Sequence, residues 1–166
     1  MNTKETAYFA GGCFWCITPT FRDLNGVSQV ISGYSGGEEI NPVYEDVKNQ
    51  RTGHRETIRI SYNSEKVSFQ ELVSIFLNGV DPFDPDGQFI DRGFSYTLAI
   101  YYTSPEQKQT AQECIRQLEQ DAGQKTFISL EPFRSFYTAE EYHQNYDLKN
   151  PEAFEKELLE SGRKQA

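Results

Sequence analysis

The residues best suited to chemistry are two cysteines three positions apart, Cys13 and Cys16, which directly follow the pair Gly11-Gly12. Strand-forming residues precede the glycines, and a helix is expected to begin close to Cys13. A thiol at a helix start faces unpaired backbone N–H groups and the positive end of the helix dipole, which lower its pKa and activate it. Cys16, one helical turn later, could attack a sulfur adduct on Cys13 and close a disulfide. We therefore predict a thiol-based site.

Four other interpretations of the cysteines stay open on spacing alone. The two thiols could be inert core residues, since free cysteine is commonly buried. They could bind zinc with His54 and His143, although these histidines are far apart and fit no compact ligand spacing. Cys16 and Arg22 have the Cys-x5-Arg spacing of a phosphatase loop, but the segment lacks the glycines of an anion nest. The fourth interpretation is a disulfide exchanger of the thioredoxin type.

The bulk properties of the chain exclude several classes of function. The 166 residues carry a formal net charge of -9 and contain no basic run, which argues against nonspecific binding of nucleic acid. No stretch approaches the roughly 18 consecutive apolar residues of a membrane helix. Met1 to Thr6 is polar and lacks a signal-peptide core, which predicts a cytoplasmic location. We expect a monomer without metal or cofactor.

Periodicity and capping patterns predict the elements that position the cysteines. Alternation of apolar and polar residues predicts strands at Glu5–Ala10, Val27–Gly33, Glu56–Tyr62, Thr97–Tyr102 and Phe127–Glu131. Capping patterns predict helices that begin at Ser68, at Ser104-Pro105, between Thr138 and Glu141, and at Asn150-Pro151. The segment after Cys13 should also be helical, with an irregular or late start because of Pro19.

The predicted elements follow an order near β-α-β-β-α-β with helical additions. This order is typical of an α+β two-layer sandwich with a ferredoxin-like split β-α-β core, extra C-terminal helices and long loops. The chain contains no internal repeat and no low-complexity segment. We predict one domain over residues 1–166.

Several motifs together resemble the peptide methionine sulfoxide reductase A family. The active-site motif is Gly12-Cys-Phe-Trp-Cys16. The other matching segments follow in order: Ser32-Gly-Tyr-Ser-Gly-Gly37, Pro42-Val-Tyr44, Thr52-Gly-His-Arg-Glu56, Asp81-Pro82, Asp91-Arg-Gly93, Tyr96 and Ala139-Glu-Glu-Tyr-His-Gln-Asn-Tyr146. The resemblance covers nearly the whole chain from about Tyr8 to Tyr146.

The resemblance implies a role for each matching residue. Cys13 would attack the sulfoxide sulfur, and Glu56 would protonate the sulfoxide oxygen. Tyr44 and Tyr96 would hydrogen-bond that oxygen, with Asp91 supporting the site. Phe14 and Trp15 would hold the S-methyl group of the substrate. Cys16 would then displace the sulfenic acid on Cys13, and thioredoxin would reduce the resulting disulfide.

The implied substrate is the S epimer of methionine sulfoxide, either free or in oxidised proteins. Desolvation would raise the pKa of a buried glutamate and keep it protonated near neutral pH, as an acid at this position requires. Taken singly, Phe14 and Trp15 would be ordinary core residues, and Glu56 an ordinary surface acid. Their joint pattern supports the assignment.

The sequence also departs from the commoner family pattern. No cysteine follows Cys114, which we expect to be a core thiol, so resolution falls to Cys16 or to an external thiol. Val80 and Phe83 stand where many members have His and Thr. Phe94-Ser-Tyr-Thr-Leu98 replaces the frequent Thr-Gln-Tyr-Arg-Ser. These changes alter the neighbours of the site residues.

Overall fold

The computed structural model describes residues 3–161, which form one mixed sheet and a small separate ribbon. The strands are β1 (Lys4–Gly11), β2 (Val27–Ser35), β3 (Arg55–Asn63), β4 (Gly87–Gln88), β5 (Asp91–Arg92), β6 (Leu98–Tyr102), β7 (Ser129–Pro132) and β8 (Phe136–Thr138). The helices are α1 (Phe14–Arg22), α2 (Tyr44–Lys48), α3 (Phe69–Asn78), α4 (Pro105–Ala122), α5 (Tyr146–Lys149) and α6 (Pro151–Ser161), with 3-10 turns at Phe94–Tyr96 and Glu141–His143.

The sheet has the strand order β7-β6-β1-β3-β2-β8, and β4 pairs with β5 in the ribbon. β6 and β7 are parallel, whereas the other neighbours in the sheet are antiparallel. Connections through α1, between β1 and β2, and through α3, between β3 and β6, place β1 and β3 side by side at the centre. The predicted α+β class is confirmed.

The two faces of the sheet bury different sets of side chains. Along β1, Phe9 belongs to the main core with residues of α1 and α3, and its ring stacks on Phe76 at 4.8 Å. Tyr8 points to the other face, where its ring stacks on Phe133 at 4.1 Å. The alternation follows from the two-residue period of a strand. It separates neighbouring residues of β3 in the same way.

Local sequence signals explain where the helices begin and end. The Ser68 hydroxyl accepts a hydrogen bond from the Glu71 amide and caps α3. Ser104 caps α4 in the same way, with Pro105 in the first turn. α4 ends at Gly123, whose φ of 70° is left-handed. The predicted starts of α3, of α4 and of α6 at Pro151 are confirmed.

Two predictions about local structure are wrong, and one predicted strand is present but begins two residues late. α1 is regular from Phe14 onward despite Pro19, because the proline removes only the one amide donor that would face the Trp15 carbonyl. No α-helix begins between Thr138 and Glu141, because Thr138 ends the edge strand β8 and only a 3-10 turn begins at Glu141. The strand predicted from Phe127 begins only at Ser129.

Among the described residues, no helix is long and apolar enough to cross a membrane.

Candidate active site

Cys13 lies in the turn between the central strand β1 and helix α1. The turn depends on Gly12, whose φ of 86° is a conformation that favours glycine. Cys13 is the N-cap of α1, but its side chain makes no capping hydrogen bond. The residue is only 8% exposed. The predicted position at a helix start is confirmed, and the sulfur is not used to cap the helix.

The sulfurs of Cys13 and Cys16 lie within hydrogen-bonding distance, and all three cysteines are thiols. The hydrogen bond with Cys16 and burial together raise the pKa of Cys13 well above its usual value. Negative charge on Glu56 and Asp91 adds to the effect. The sequence-based expectation that this pKa is lowered is therefore wrong, because the hydrogen bond with Cys16, burial and the nearby acids all raise it.

Glu56 is fully buried beside the start of α1. Its carboxyl oxygen Oε1 accepts a hydrogen bond of 3.1 Å from the Phe14 amide, the first helical residue after Cys13. Burial raises the pKa of Glu56 to about 8, and the nearby Asp91 adds to the shift. Glu56 therefore carries a proton at neutral pH, as a general acid requires. The alternative of a solvated surface acid is excluded.

The phenols of Tyr44 and Tyr96 belong to the same cluster of interacting groups. Tyr44 begins α2, and Tyr96 ends the first 3-10 turn. Burial raises the pKa of each phenol, and the next contribution in each case comes from Glu56. Cys13 and Asp91 also act on both. Both hydroxyls therefore keep their protons and can donate hydrogen bonds.

Phe14 and Trp15 lie on α1 directly after Cys13, in different environments. Phe14 is fully buried in the main core, where its ring lies 5.8 Å from the ring of Tyr34. Trp15 is partly exposed and stacks almost in parallel on Tyr146, with ring centroids 3.9 Å apart. The indole N–H donates to His143 Nδ1 at 3.0 Å. Trp15 is thus held in a fixed orientation beside Cys13.

His143 is part of this cluster, although the sequence suggested for it only the zinc interpretation and a place in the last family motif. The side chain is fully buried, and its ring lies 4.2 Å from that of Tyr44 and 5.2 Å from that of Phe14. Burial lowers its pKa to about 4, so the ring is neutral. A neutral ring can accept the Trp15 N–H through Nδ1. The signal that could have found it is the motif from Ala139 to Tyr146.

Glu140 is a second residue that sequence reasoning did not single out. Its carboxylate accepts the Tyr34 hydroxyl at 2.8 Å and the Tyr44 amide at 3.0 Å. The carboxylate therefore connects the C-terminal segment to β2 and to the start of α2. These contacts fix the backbone position of Tyr44 in the site.

The structure gives no support to the zinc and phosphatase interpretations. His54 hydrogen-bonds with the Gly37 amide at 3.2 Å and the Glu39 carbonyl at 2.8 Å, away from the cysteines. Within residues 3–161, no group of three or more His, Cys, Asp or Glu side chains is arranged to hold a metal ion. Cys16 and Arg22 lie on one helix instead of a loop, and Arg22 pairs with Asp147.

Val80 packs beside the site, and Cys114 packs against the core. A Cβ at Gly11 would come within 3.1 Å of Val80, so Val80 closes the core beside the Cys13 turn. Cys114 is half-buried against the main core, and burial raises its pKa. Cys114 therefore lies at the edge of the core and not inside it, so the expectation of a core thiol holds only in part.

A buried thiol beside a protonated carboxyl, at the first turn of an α+β fold, defines a thiol-dependent oxidoreductase. The family model of peptide methionine sulfoxide reductase matches residues 5–166. The peptide methionine sulfoxide reductase MsrA of Halalkalibacterium halodurans is 45% identical over 161 residues, which cover 96% of this chain and 92% of the relative. The chain belongs to the peptide methionine sulfoxide reductase family, as its motifs predicted.

Solved structures agree with this assignment. The crystal structure of Mxr1 from Saccharomyces cerevisiae in reduced form is 28% identical and has a TM-score of 0.85, with 90% of this chain and 87% of that chain covered. Methionine sulfoxide reductase A of Corynebacterium diphtheriae is 30% identical and has a TM-score of 0.81, with coverages of 91% and 77%. Both likenesses extend over most of the described residues.

Proposed function

We propose that this chain reduces the S epimer of methionine sulfoxide through a sulfenic acid on Cys13. As a member of its family, the chain is an enzyme that reduces methionine sulfoxide to methionine. In the proposed first step, the Cys13 sulfur attacks the sulfoxide sulfur. The S–O bond of the substrate breaks, the oxygen is transferred to Cys13, and methionine leaves. Cys13 loses its thiol proton in this step and the transferred oxygen gains one, so the number of protons does not change.

The observation that carries this proposal is the buried, protonated Glu56 beside Cys13. Sulfoxide sulfur becomes electrophilic only when its oxygen gains a proton or strong hydrogen bonds as the S–O bond breaks. Glu56 has a pKa of about 8 and accepts the Phe14 amide, which orients the carboxyl next to the nucleophile. We assign Glu56 as the general acid.

Tyr44 and Tyr96 are proposed to donate hydrogen bonds to the same oxygen. Their raised pKa values keep both phenols protonated through the working range of the enzyme. Two donors fixed in a buried site stabilise charge that develops on the oxygen without needing to reorganise. Asp91 acts on both phenols and on Glu56, and we assign it a supporting role.

Phe14 and Trp15 are proposed to hold the S-methyl group of the substrate. Aromatic rings interact favourably with a polarizable sulfur and its methyl, by ~0.3–1.5 kcal/mol per contact. The stack on Tyr146 and the hydrogen bond to His143 hold the Trp15 ring in place. A fixed ring costs less conformational entropy when the substrate binds.

Cys16 is proposed to restore the thiol. Its sulfur already contacts Cys13, so it can attack the sulfenic acid. An S–S bond then forms, the S–O bond breaks, and water leaves. An external dithiol must supply two electrons to reopen the disulfide, and we propose thioredoxin. The yeast protein Mxr1 has been solved in complex with Trx2.

The remaining parts of the proposal concern the protein as a whole. We propose one domain over residues 1–166, in which β1, β2, β3 and β6 with α1 and α3 form a ferredoxin-like split β-α-β core. The order β6-β1-β3-β2 supports this description. We further propose a monomer that accepts both free and protein-bound substrate. We place it in the cytoplasm, since cysteines that are thiols and form no disulfide suit a reducing compartment.

The test compares reduction of the two methionine sulfoxide epimers by wild type and by single cysteine variants with dithiothreitol. Wild type should reduce the S epimer, and Cys13→Ser should lose the activity. Without reductant, Cys16→Ser should still form one methionine per enzyme and should not be recycled by thioredoxin. Cys114→Ser is the matched control and should behave like wild type. If fully reduced wild type converts neither epimer, the proposal is wrong and a disulfide exchanger or redox sensor must replace it.

A further inference from the structure

Arg55 directly precedes the proposed acid on β3, and its side chain points to the opposite face of the sheet. Successive residues of a strand alternate between faces. Glu56 therefore faces the helices, while Arg55 lies on the other face, where Tyr8 stacks on Phe133. Arg55 is only 7% exposed. Its Nη1 donates to Glu131 at 2.7 Å and to the Tyr101 hydroxyl at 3.1 Å. The buried guanidinium is thus paired and held in one place.

The remaining contacts of Arg55 reach the 3-10 turn that carries Tyr96. Its Nε donates to the Thr97 hydroxyl at 2.8 Å. The same hydroxyl donates to the Phe94 carbonyl at 2.6 Å and so closes the turn. The guanidinium also lies 4.4 Å from the centroid of the Phe94 ring, a cation–π distance. Arg55 therefore holds the turn at both ends.

A second attachment fixes the middle of the same turn. Gln50 donates to the Ser95 hydroxyl at 2.8 Å and accepts the Ser95 amide at 3.0 Å. Tyr96 follows directly and is buried, with its phenol among the groups around Cys13. Two backbone hydrogen bonds, from the Tyr96 amide to the Gly93 carbonyl and from the Thr97 amide to the Phe94 carbonyl, form the turn but do not attach it to the rest of the protein. Its orientation therefore depends on these side-chain contacts.

We propose that Arg55 is a positioning residue that sets the Tyr96 hydroxyl toward Cys13 through Thr97 and Phe94. A hydrogen bond to the reacting oxygen weakens steeply with angle and distance, so a small rotation of the turn lowers the rate. Phe94 and Thr97 are two of the positions where this chain departs from the commoner family pattern. The positioning contact therefore uses residues that differ from the commoner pattern. The inference rests on the proposed role of Tyr96.

The test removes the hydrogen bond between Arg55 and the turn without changing a charge, and leaves the cation–π contact with Phe94 in place. Thr97→Val keeps the shape of the side chain and deletes the hydroxyl that accepts from Arg55 and donates to the Phe94 carbonyl. We expect the first-turnover rate constant at saturating S sulfoxide to fall about tenfold, with substrate affinity nearly unchanged. Thr126→Val is the matched control, because Thr126 also loses a side-chain hydrogen bond, to Glu119, at the far end of α4. It should keep the wild-type rate.

A double-mutant cycle with Tyr96→Phe separates positioning from a general loss of structure. If Arg55 acts through the phenol, Thr97→Val should cost nothing further once Tyr96→Phe has removed the hydroxyl. Arg55→Lys, which keeps a charge for Glu131 but loses the planar fork, should show the same dependence on background. Equal losses in both backgrounds, or a Thr97→Val rate equal to wild type, would overturn the inference. An inactive wild type would instead refute the proposed function.

Discussion

At Cys13 and Glu56, burial acts on two acids that lie side by side. It holds the thiol and the carboxyl protonated at neutral pH, and each group raises the pKa of its neighbours when it is charged. The reaction needs a nucleophilic sulfur and a proton for the sulfoxide oxygen. The active form of the Cys13–Glu56 pair therefore holds one proton in place of two. The same count applies whether the remaining proton lies on the thiol or on the carboxyl.

This proton count predicts the pH dependence of the first turnover. The second-order rate constant should rise about tenfold per pH unit below pH 8 and level off near the Glu56 pKa of about 8. It should fall again only above the higher pKa of Cys13, when both protons are lost. Rapid-quench measurement of methionine formation without reductant, at several pH values, gives the profile.

Glu56→Gln is the matched variant for the pH profile. Glutamine has nearly the same shape but cannot transfer a proton, so the rate at pH 7 should fall by about 10²- to 10³-fold. The levelling near pH 8 should disappear, and the rise should continue toward the pKa of Cys13. A wild-type profile that is flat from pH 6 to 8 would contradict the shared proton.

At the scale of elements, the turn between β1 and α1 sets the position of the nucleophile. β1 is held on both sides, by β3 and by β6, so its end is fixed in space. Gly12 then reverses the chain with a φ of 86°, and α1 begins within two residues. Because both elements are packed into the core, any change of backbone conformation at Gly12 is transmitted to Cys13.

Gly12→Ala should therefore lower both stability and activity. An alanine with a positive φ costs of order 1–3 kcal/mol, and any relief of that strain moves Cys13. Urea unfolding and single-turnover methionine formation measure the two effects. Gly123→Ala is the matched control, because Gly123 also has a positive φ, of 70°, with no atom near its Cβ position. It should lose similar stability and no activity, and an equal loss of activity in both variants would contradict the prediction.

At the scale of the whole molecule, a C-terminal segment closes the site from a distance of more than 100 residues. Gln144 exchanges two hydrogen bonds of 2.9 Å with the backbone of Ser32 on β2. His143, next to it, accepts the Trp15 N–H. The segment adds no strand at the centre of the sheet, but it completes the wall beside Cys13. If this segment unfolds, the site therefore loses one of its walls.

The buried His143 predicts an acid-sensitive stability. Its folded-state pKa of about 4 lies below the ordinary value of 6.5, so the unfolded chain binds the proton first. The stability that neutral His143 contributes is present above about pH 6.5 and is lost as pH falls toward 4, by up to about 1 kcal/mol per pH unit. Urea unfolding between pH 7 and 4.5 measures this loss.

His143→Asn should flatten the pH dependence of unfolding, because asparagine accepts a hydrogen bond but does not titrate. Gln144→Ala, in the same segment, removes the bonds to Ser32 without removing an ionisable group. It should lower the free energy of unfolding by a similar amount at every pH and keep the wild-type slope. An unchanged slope in His143→Asn would show that other groups carry the acid sensitivity.

Much of the fold could be predicted because the signals are local. The alternation in β3 and the serine caps of α3 and α4 each depend on a few neighbouring residues, and the structure confirms them. The edge strand β8 was missed because three residues carry no periodicity. Thr138 imitates a helix cap but pairs with Gly33 instead, a contact that no local pattern contains.

The sequence by itself determined the family and the class of fold, because motif order and periodicity are written along one chain, and it supplied the proposal that Cys13 is the nucleophile. The protonation of the site was decided only by tertiary structure. The pKa of Cys13 was expected to be low and is high, since the thiol hydrogen-bonds with Cys16 and is buried in the fold, with Glu56 and Asp91 close by. The place of His143 beside Trp15, and of Arg55 behind the Tyr96 turn, likewise follows from packing between distant segments. Desolvation depends on what surrounds a group in space, and the order of residues does not specify that directly.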